Sequence, residues 1–240
     1  MSLLKRLFGN RNAEHSYPTD EVEINGEKLR LRFFAHASIA IEYGGRWIYI
    51  DPVMDSADYE HLPKADMILV THHHDDHFDM VAIDNLSTAE THILLDRSAA
   101  EGFAGDCYTM LPKGVAEPFA DIRVEAVAAY NTSAHQLQFH PKEREDCGYV
   151  VTLNSAVRIY ISGDTEPTEE MLALKGIDIA FICVNQPYTM TATQAEEAVR
   201  VLCPKIYYPY HYGQVDEPTD VEALAKTLES VTDVRIRPLA

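Results

Sequence analysis

A short apolar segment that leads directly into a cluster of histidines restricts the fold of this 240-residue chain more than any other feature. Met67–Val70 is apolar throughout and has the length of a buried strand. Residues 71–77 follow at once with the sequence THHHDDH, which contains four of the chain's 11 histidines. Alternate residues of an extended segment point the same way, so His72 and His74 can chelate one metal ion.

The second half of this cluster offers ligands for a second ion. Asp76 and His77 follow as the chain turns out of the strand, and they face a position beside the first one. Imidazole nitrogens and carboxylate oxygens without a thiolate suit Zn²⁺, with Mn²⁺ or Fe²⁺ as alternatives. A solvated polar loop is the simpler interpretation, but such a pattern arises by chance in only about a few chains per thousand. The segment therefore predicts metal binding.

Further ligands are expected where other predicted strands end, because loops at strand ends can converge on one site. Asp164 and His211 each follow a predicted strand directly. A third contributor is expected between residues 130 and 148, where His135 and His140 are both available.

Short β-like runs joined by tight turns dominate the rest of the chain. Asn25-Gly26 and Gly44-Gly45 each separate two such runs and predict two hairpins. Thr193 with Glu196, and Thr219 with Glu222, predict two helix starts. Strands gathered in hairpins, with helices between them, favour two sheets face to face over a doubly wound parallel sheet. Strands are predicted over 22–24, 29–33, 38–43, 47–50, 67–70, 92–95, 122–128, 149–153, 157–161, 177–184, 206–209 and 234–236, and a helix over 78–86.

Charge and composition exclude several classes of partner. The chain carries 20 Lys+Arg against 38 Asp+Glu, and this net charge of −18 argues against binding to nucleic acid or to an anionic membrane surface. No stretch approaches the roughly 18 apolar residues of a membrane span. The four cysteines form no CxxC pair, which favours free thiols in a reducing cytoplasm. We expect a cytoplasmic protein with an N-terminal leader or tail over residues 1–20 and a single domain over 21–240.

The ordered motifs resemble the metallo-β-lactamase superfamily. Its markers are an Asp that ends an early strand, HxHxDH, a later His, a Gly-Asp pair and a final His. Here they correspond, in order, to Asp51, residues 72–77, His140 or His135, Gly163-Asp164 and His211. Residues 34–38 (FAHAS), 50–52 (IDP) and 210–213 (YHYG) are similar to one branch, which includes ascorbate-6-phosphate lactonase and N-acyl-phosphatidylethanolamine phospholipase D. The likeness is closest to the short metal-dependent hydrolases of that branch.

One segment departs from the commoner superfamily pattern. Tyr130-Asn131 stands where a His and a Gly-rich turn are usual. Residues 139–142 (FHPK) resemble a motif of the short hydrolases, which favours His140 over His135 as the later His.

The resemblance implies an α/β protein with a four-layer αβ/βα sandwich, in which two mixed sheets lie face to face with helices outside. It also implies a ligand set: His72, His74 and His140 for one divalent ion, Asp76, His77 and His211 for a second, and Asp164 bridging both. Asp51 would orient a ligating histidine by accepting its other N–H. The candidate catalytic residues are Asp76, Asp164 and His36, and the candidates for the pocket wall are His36, Tyr130, Asn131, Asn185 and Tyr188.

The activity implied is hydrolysis of an ester, lactone or phosphodiester of a small molecule by a hydroxide held between two metal ions, most simply Zn²⁺. Self-association into a homo-oligomer is compatible with the branch. Two alternatives stay open, a mononuclear iron dioxygenase of the same fold and a metal-dependent nuclease. A binding protein without catalysis is disfavoured, because purely structural metal sites are normally closed by four ligands.

Overall fold

Two mixed sheets of seven strands each make up the computed structural model, which describes residues 17–240. The strands are β1 (Thr19–Ile24), β2 (Glu27–Ala35), β3 (Ser38–Tyr43), β4 (Arg46–Ile50), β5 (Met67–Val70), β6 (His92–Asp96) and β7 (Tyr108–Met110) in sheet A, and β8 (Val115–Phe119), β9 (Ile122–Ala128), β10 (Cys147–Leu153), β11 (Val157–Ile161), β12 (Ile179–Cys183), β13 (Ile206–Tyr210) and β14 (Asp233–Val234) in sheet B. The helices are α1 (Met80–Leu86), α2 (Arg97–Gly102), α3 (Glu169–Leu172), α4 (Ala192–Leu202) and α5 (Val221–Leu228).

Both sheets follow one plan, in which consecutive strands lie side by side. In sheet A the strands from β1 to β4 are antiparallel, and those from β4 to β7 are parallel. In sheet B the strands from β8 to β11 are antiparallel, and those from β11 to β14 are parallel. The prediction of two mixed sheets is confirmed, and the parallel strands of each sheet bring several carboxyl ends to one edge.

The tight turns behave as their residues predict. Asn25 and Gly26 both have positive φ angles, 55° and 86°, and join β1 to β2 as a two-residue hairpin loop. Gly44 and Gly45, with φ angles of 58° and 80°, join β3 to β4 in the same way. Glycine and asparagine tolerate this left-handed backbone better than other residues do.

The helices cover the outer faces of the two sheets. Along β5, Met67 and Leu69 pack in a core cluster with residues of sheet B, whereas Ile68 and Val70 pack with buried residues of α1 and α2. Alternate side chains of a strand point to opposite faces, so a strand covered on both faces is apolar throughout. Buried residues of α4 and α5 pack in the cluster that contains sheet B. The result is the four-layer sandwich that the resemblance implies.

Both predicted helix starts are wrong by a residue or more. The cap of α4 is Thr191, whose hydroxyl accepts a hydrogen bond from the Gln194 backbone N–H at 3.1 Å. Thr193 therefore falls inside the first turn. The cap of α5 is Asp220, whose carboxylate accepts from the Ala223 N–H at 2.9 Å, while the Thr219 hydroxyl donates to the Val184 carbonyl.

Several short elements have no clear sequence pattern, namely α2, β7, β8 and α3. The predicted leader lies outside the described residues as far as residue 16, and β1 begins at Thr19, inside the leader's predicted end. No helix within residues 17–240 is long and apolar enough to cross a membrane.

Candidate metal centre

The candidate site residues meet at the edge where the parallel strands end. Asp51 follows β4, residues 71–77 follow β5, Asp164 follows β11 and His211 follows β13. Asp51 and His211 have left-handed backbones, with φ angles of 45° and 51°, as does His36 in the turn between β2 and β3, with a φ angle of 53°. Such conformations are uncommon for residues other than glycine and are concentrated at functional sites.

Gly163 allows the loop after β11 to approach this edge closely. Its φ is 60°, and a Cβ atom at this position would lie 3.1 Å from the Thr71 Cβ and 3.1 Å from the Cys147 carbonyl oxygen. A larger residue would push Asp164 away from the segment that follows β5.

One group of side chains consists of His72, His74 and His140, whose ligand atoms lie within 4.8 Å of one another. His72 Nε2 and His74 Nδ1 are 3.0 Å apart. His140 reaches the group from the loop between β9 and β10 and is buried, whereas His135 in the same loop is exposed and belongs to no such group.

A second group consists of Asp76, His77 and His211, together with His36. Asp76 Oδ2 lies 3.4 Å from His211 Nε2 and 3.1 Å from His36 Nε2. The His36 and His211 rings are 3.8 Å apart between centroids. The geometry therefore places His36 within ligand distance of this group.

Asp164 lies between the two groups and contacts both. Its Oδ2 is 3.4 Å from His140 Nε2 and 3.3 Å from His211 Nε2, and its Oδ1 is 3.3 Å from His77 Nε2. This position is the one that a carboxylate bridging two ions would occupy.

Asp51 supports the clustered histidines from behind. Its Oδ2 accepts a hydrogen bond from His77 Nδ1 at 2.8 Å and another from the Thr71 hydroxyl at 2.8 Å. The same hydroxyl oxygen lies 3.0 Å from His72 Nδ1. With their Nδ1 atoms engaged in this way, His77 and His72 present Nε2 toward the cluster.

Arg144 contacts the outward nitrogens of the other two histidines, and no motif in the sequence marks it. Its Nη1 is 3.0 Å from His74 Nε2, and its Nη2 is 3.0 Å from His140 Nδ1. The guanidinium also donates to the buried carboxylate of Asp146, with Nε 2.7 Å from Oδ1. The contact with His74 joins residues 70 positions apart, so a local pattern could not reveal it.

The unpaired atoms of the cluster provide a test of whether these residues fit a metal ion. Among the described residues, His77 Nε2, His211 Nε2 and Asp164 Oδ1 are buried and have no hydrogen-bond partner. Leaving buried polar atoms unpaired destabilises a fold, by about 1–3 kcal/mol for each atom. His77 and His211 belong to the second group and Asp164 lies between the groups. All three atoms are of types that divalent cations bind. The residues therefore fit such an ion.

The charge states of His72, His74, Asp76 and Asp164 also suit metal binding. Burial lowers the pKa of His72 well below its usual value and lowers the pKa of His74 to about 4, so both rings are neutral near pH 7. Burial alone would raise the pKa of Asp76, but the neighbouring His211 ring and the hydrogen-bonded His36 ring hold it below its usual range. Burial would likewise raise the pKa of Asp164, yet the neighbouring His211 and His77 rings keep it well below the usual value. Neutral imidazoles and ionised carboxylates are the forms that coordinate metals.

A cavity of about 330 Å³ opens onto the cluster. Its lining residues are His36, His74, Asp76, Phe139, His140, Asp164, Asn185, Tyr188, His211 and Gln214. Three of the residues predicted for the pocket wall are thus in contact with the cavity. The other two are not, because the Tyr130 hydroxyl donates to Glu170 and the Asn131 amide donates to the Tyr188 carbonyl. A larger cavity, of about 560 Å³, lies over β1 to β4 and contains none of the clustered histidines.

Comparisons with known proteins agree with this geometry. Residues 30–211 match the family described as Beta-lactamase superfamily domain. The UPF0173 metal-dependent hydrolase of Pelotomaculum thermopropionicum is 30% identical over 199 residues, which cover 77% of this chain and 85% of the relative. The corresponding hydrolase of Thermococcus onnurineus is 31% identical over 197 residues, with the same two coverages of 77% and 85%.

Solved structures share the architecture. A crystal structure of a protein described as a metal-dependent hydrolase from Parabacteroides distasonis superposes with a TM-score of 0.87 at 40% identity, and the match covers 94% of this chain and all of that one (100%). Igni18, a metallo hydrolase from Ignicoccus hospitalis, superposes with a TM-score of 0.73 at 22% identity over 88% of this chain and 96% of its own, and shows the fold alone.

Proposed function

This chain belongs to the beta-lactamase superfamily as a metal-dependent hydrolase, and we propose that it uses two metal ions to cleave an ester, lactone or phosphodiester of a small molecule. The position of Asp164 carries the proposal. One carboxylate contacts histidines of both groups at 3.3–3.4 Å, as a ligand shared by two ions would. The proposed ligands are His72, His74 and His140 for the first position, and Asp76, His77 and His211 for the second.

Two divalent ions in these positions would lower the pKa of a shared water and polarise the scissile carbonyl or phosphoryl oxygen. Zn²⁺ suits the nitrogen-rich ligands best. The protein's own contribution is orientation. Asp51 fixes the His77 ring through Nδ1, and Asp164 keeps its buried carboxylate between the groups. Because the histidine rings are fixed at the edge where the strands end, the reacting groups are held in one arrangement. This lowers the entropic part of the activation barrier.

We assign proton transfer to the pair formed by His36 and Asp76. His36 Nε2 lies 3.1 Å from Asp76 Oδ2, and both residues line the cavity. A proton held between these atoms is within reach of a leaving group in the cavity. Burial lowers the pKa of His36, so its ring is mainly neutral near pH 7 and is suited to accept a proton before passing it on.

The cavity wall narrows the substrate class. Among residues 17–240, none of those that line the cavity is a Lys or an Arg, whereas Phe139 and Tyr188 pack edge to face with ring centroids 5.0 Å apart. Apart from the proposed ions, a phosphate monoester would meet no positively charged side chain among these lining residues. The wall therefore favours neutral or singly charged substrates that carry an apolar or aromatic group, such as lactones and aryl esters.

Elemental analysis combined with a substrate panel tests this proposal. We expect two divalent ions per chain and turnover of at least one compound among aryl esters, γ- and δ-lactones and bis(p-nitrophenyl) phosphate. Thioesters and N-acyl amides complete the panel. One iron per chain, together with oxygen consumption in the presence of a thiol substrate, would contradict the proposal and indicate a dioxygenase.

A further inference from the structure

Helix α2 contacts the ligand-bearing segment that follows β5 at two points. In its first turn, the Ser98 hydroxyl oxygen accepts a hydrogen bond from the His73 backbone N–H at 3.2 Å and lies 3.2 Å from His73 Nδ1. At its last residue, Gly102, an added Cβ atom would lie 3.7 Å from the Phe78 ring. The helix therefore lies along this segment from His73 to Phe78.

A buried carboxylate holds Ser98 in turn. The Ser98 hydroxyl donates to Asp96 Oδ2 at 2.7 Å, and the backbone N–H groups of Ser98 and Ala99 donate to the same carboxylate at 2.9 and 2.8 Å. Asp96 is fully buried at the end of β6, so sheet A fixes its position. Since the hydroxyl proton points to Asp96, the hydroxyl oxygen presents its lone pairs to His73. Hydrogen bonds therefore run without a break from Asp96 to the ligand-bearing segment.

Capping of α2 alone does not account for a buried carboxylate at this position. Asp220 caps α5 from an exposed position, with a hydrogen bond from the Ala223 N–H. Burial raises the pKa of Asp96 to about 7, and the nearby Asp146 carboxylate acts in the same direction. The fold thus keeps Asp96 where its charge is disfavoured. A buried polar group whose hydrogen bonds are satisfied holds its surroundings in one arrangement, as a metal site requires of its supporting residues.

The hydrogen bond to His73 fixes the peptide unit between two proposed ligands. The His73 N–H belongs to the planar peptide that joins His72 to His73, so a bond to it orients the Cα atoms of both residues. The His72 and His74 rings lie 4.6 Å apart between centroids. Thr71 is held by Asp51, while the His77 N–H donates to the His74 carbonyl oxygen. Ser98 therefore holds the segment between its two ends.

Arg97, between Asp96 and Ser98, contacts the loop that carries His140. Its Nη1 donates to Glu145 Oε2 at 2.7 Å. Both side chains are exposed, by 53% and 39%, and exposed ion pairs contribute little. The buried carboxylate and the hydroxyl beside it, rather than this ion pair, should therefore hold the ligands in place.

We propose that Asp96 and Ser98 are positioning residues of the metal centre, which set the arrangement of the His72 and His74 rings through the backbone of His73. The inference rests on the metal-dependent hydrolase proposed above. Among residues 17–240, neither residue lines the cavity or belongs to a cluster of ligand atoms, so both act only through His73. Ser98 lies 25 positions from His73, so no local motif marks it.

The affinity for Zn²⁺ and the absorption spectrum of bound Co²⁺ test this role without relying on turnover. The full-length protein is freed of metal, its Zn²⁺ affinity is measured by competition with a coloured chelator, and its Co²⁺ spectrum reports the geometry of the ligands. Ser98→Ala removes the hydroxyl and should preserve α2, because alanine favours a helix. We expect the Zn²⁺ affinity to fall about tenfold and the Co²⁺ bands to shift. Asp96→Asn, which replaces one acceptor oxygen with a donor, should act in the same direction.

Three further variants separate the hydroxyl from the stability of the helices. Ser98→Thr keeps the hydroxyl and should restore the affinity and the spectrum of the parent protein. Ser87→Ala is the matched control, since it removes a hydroxyl that donates to the Ile83 carbonyl at the end of α1, and it should change neither property. Arg97→Gln breaks the exposed ion pair with Glu145 and should leave both properties nearly unchanged. Circular dichroism of every variant compares their helix content.

The outcomes distinguish this inference from the proposal on which it rests. A parent protein that binds no divalent ion would overturn both. If the parent binds metal and Ser98→Ala and Asp96→Asn match it in affinity and spectrum, the role of these residues is overturned and the hydrolase proposal stands. Weaker binding in Ser98→Ala that Ser98→Thr does not restore would assign the effect to packing rather than to the hydroxyl, and would also overturn the inference.

Discussion

The half of the chain that forms sheet A and the half that forms sheet B share one strand plan but supply their ligands differently. The first half carries its ligands in a single segment, residues 71–77, at the end of one buried strand. The second half presents His140, Asp164 and His211 from three separate loops. It also contributes the aromatic part of the cavity wall, Phe139 and Tyr188. The comparison suggests that the first half provides a fixed chemical motif and the second half adapts the site to a substrate.

The two halves also differ in the residues that hold their ligand-bearing segments in place. Asp51 holds the segment after β5 through hydrogen bonds to Thr71 and His77. The loop that carries His140 depends on Glu166, which accepts hydrogen bonds from the backbone and hydroxyl groups of Thr132 and Ser133 and from the Gln194 amide. Asp51 therefore anchors the short ligand segment of the first half, whereas Glu166 anchors the long loop of the second half through several hydrogen bonds.

The largest expected effect comes from removing the residue that joins the two halves. Asp164→Ala should lower the rate of hydrolysis by about 10³-fold or more and reduce the metal content, because two-metal catalysis depends on the shared ligand. His74→Ala should abolish turnover as well. Activity and metal content of the purified variants check both expectations, with Asp75→Asn as an exposed control from the same segment. Full activity in either variant would contradict the two-metal account.

A smaller effect is expected when the anchor of the first half is weakened. Asp51→Asn removes the carboxylate that accepts from His77 Nδ1 and should lower metal affinity about 10–100-fold. Competition with a coloured chelator measures the affinity, again with Asp75→Asn as the control. Equal affinities in Asp51→Asn and in the parent protein would mean that Asp51 does not orient His77.

Weakening the anchor of the second half should lower the free energy of unfolding more than the catalytic activity. Glu166 is buried, and Glu166→Gln should lower the free energy of unfolding by about 1–3 kcal/mol at pH 7, since several donors lose a charged acceptor. Glu143→Gln is an exposed control nearby, and urea denaturation of both variants measures the difference.

The loss of stability in Glu166→Gln depends on pH, and the lowered pKa of Glu166 sets the direction of that dependence. Burial would raise the pKa of Glu166, but hydrogen bonds from Ser133 and Gln194 lower it below the usual 4.5. The stabilisation by its carboxylate is therefore fully present above pH 4.5 and is lost as the pH falls through the lowered value. The stability difference between the parent protein and Glu166→Gln should shrink in that acidic range. A difference that stays constant down to the acid limit of folding would contradict this assignment.

The smallest effect concerns the aromatic wall. Tyr188→Ala should raise KM for an aryl ester about threefold to tenfold and leave kcat nearly unchanged, because the ring contributes binding energy rather than chemistry. Leu137→Ala, which alters an exposed apolar residue of the neighbouring loop, is the control. A fall in kcat at constant KM would show that Tyr188 acts on the reaction itself.

The difference between the two halves also explains which ligands could be predicted from the sequence. Those of the first half could be predicted because they are adjacent in the chain and strand geometry fixes their directions. The choice of His140 as the buried histidine of its loop depended on a family resemblance, since spacing alone treats His135 and His140 alike. The contact of Arg144 with His74 and the contacts of Glu166 with its loop were inaccessible, because they join residues 70 and 33 or 34 positions apart.

Local patterns also fail where two matches overlap. Thr191 with Gln194 and Thr193 with Glu196 both satisfy the capping pattern, and the first pair forms the capping box of α4. The hairpins were predictable for the opposite reason. Asn25-Gly26 and Gly44-Gly45 favour the left-handed backbone that each loop requires, so the signal lies within the two residues themselves.

Anomalous diffraction from a crystal grown with Zn²⁺ would show whether the site holds two ions. We expect two peaks about 3.5–4 Å apart, one among His72, His74 and His140, the other among Asp76, His77 and His211, with Asp164 between them. A single peak, or a second peak away from Asp164, would contradict this expectation.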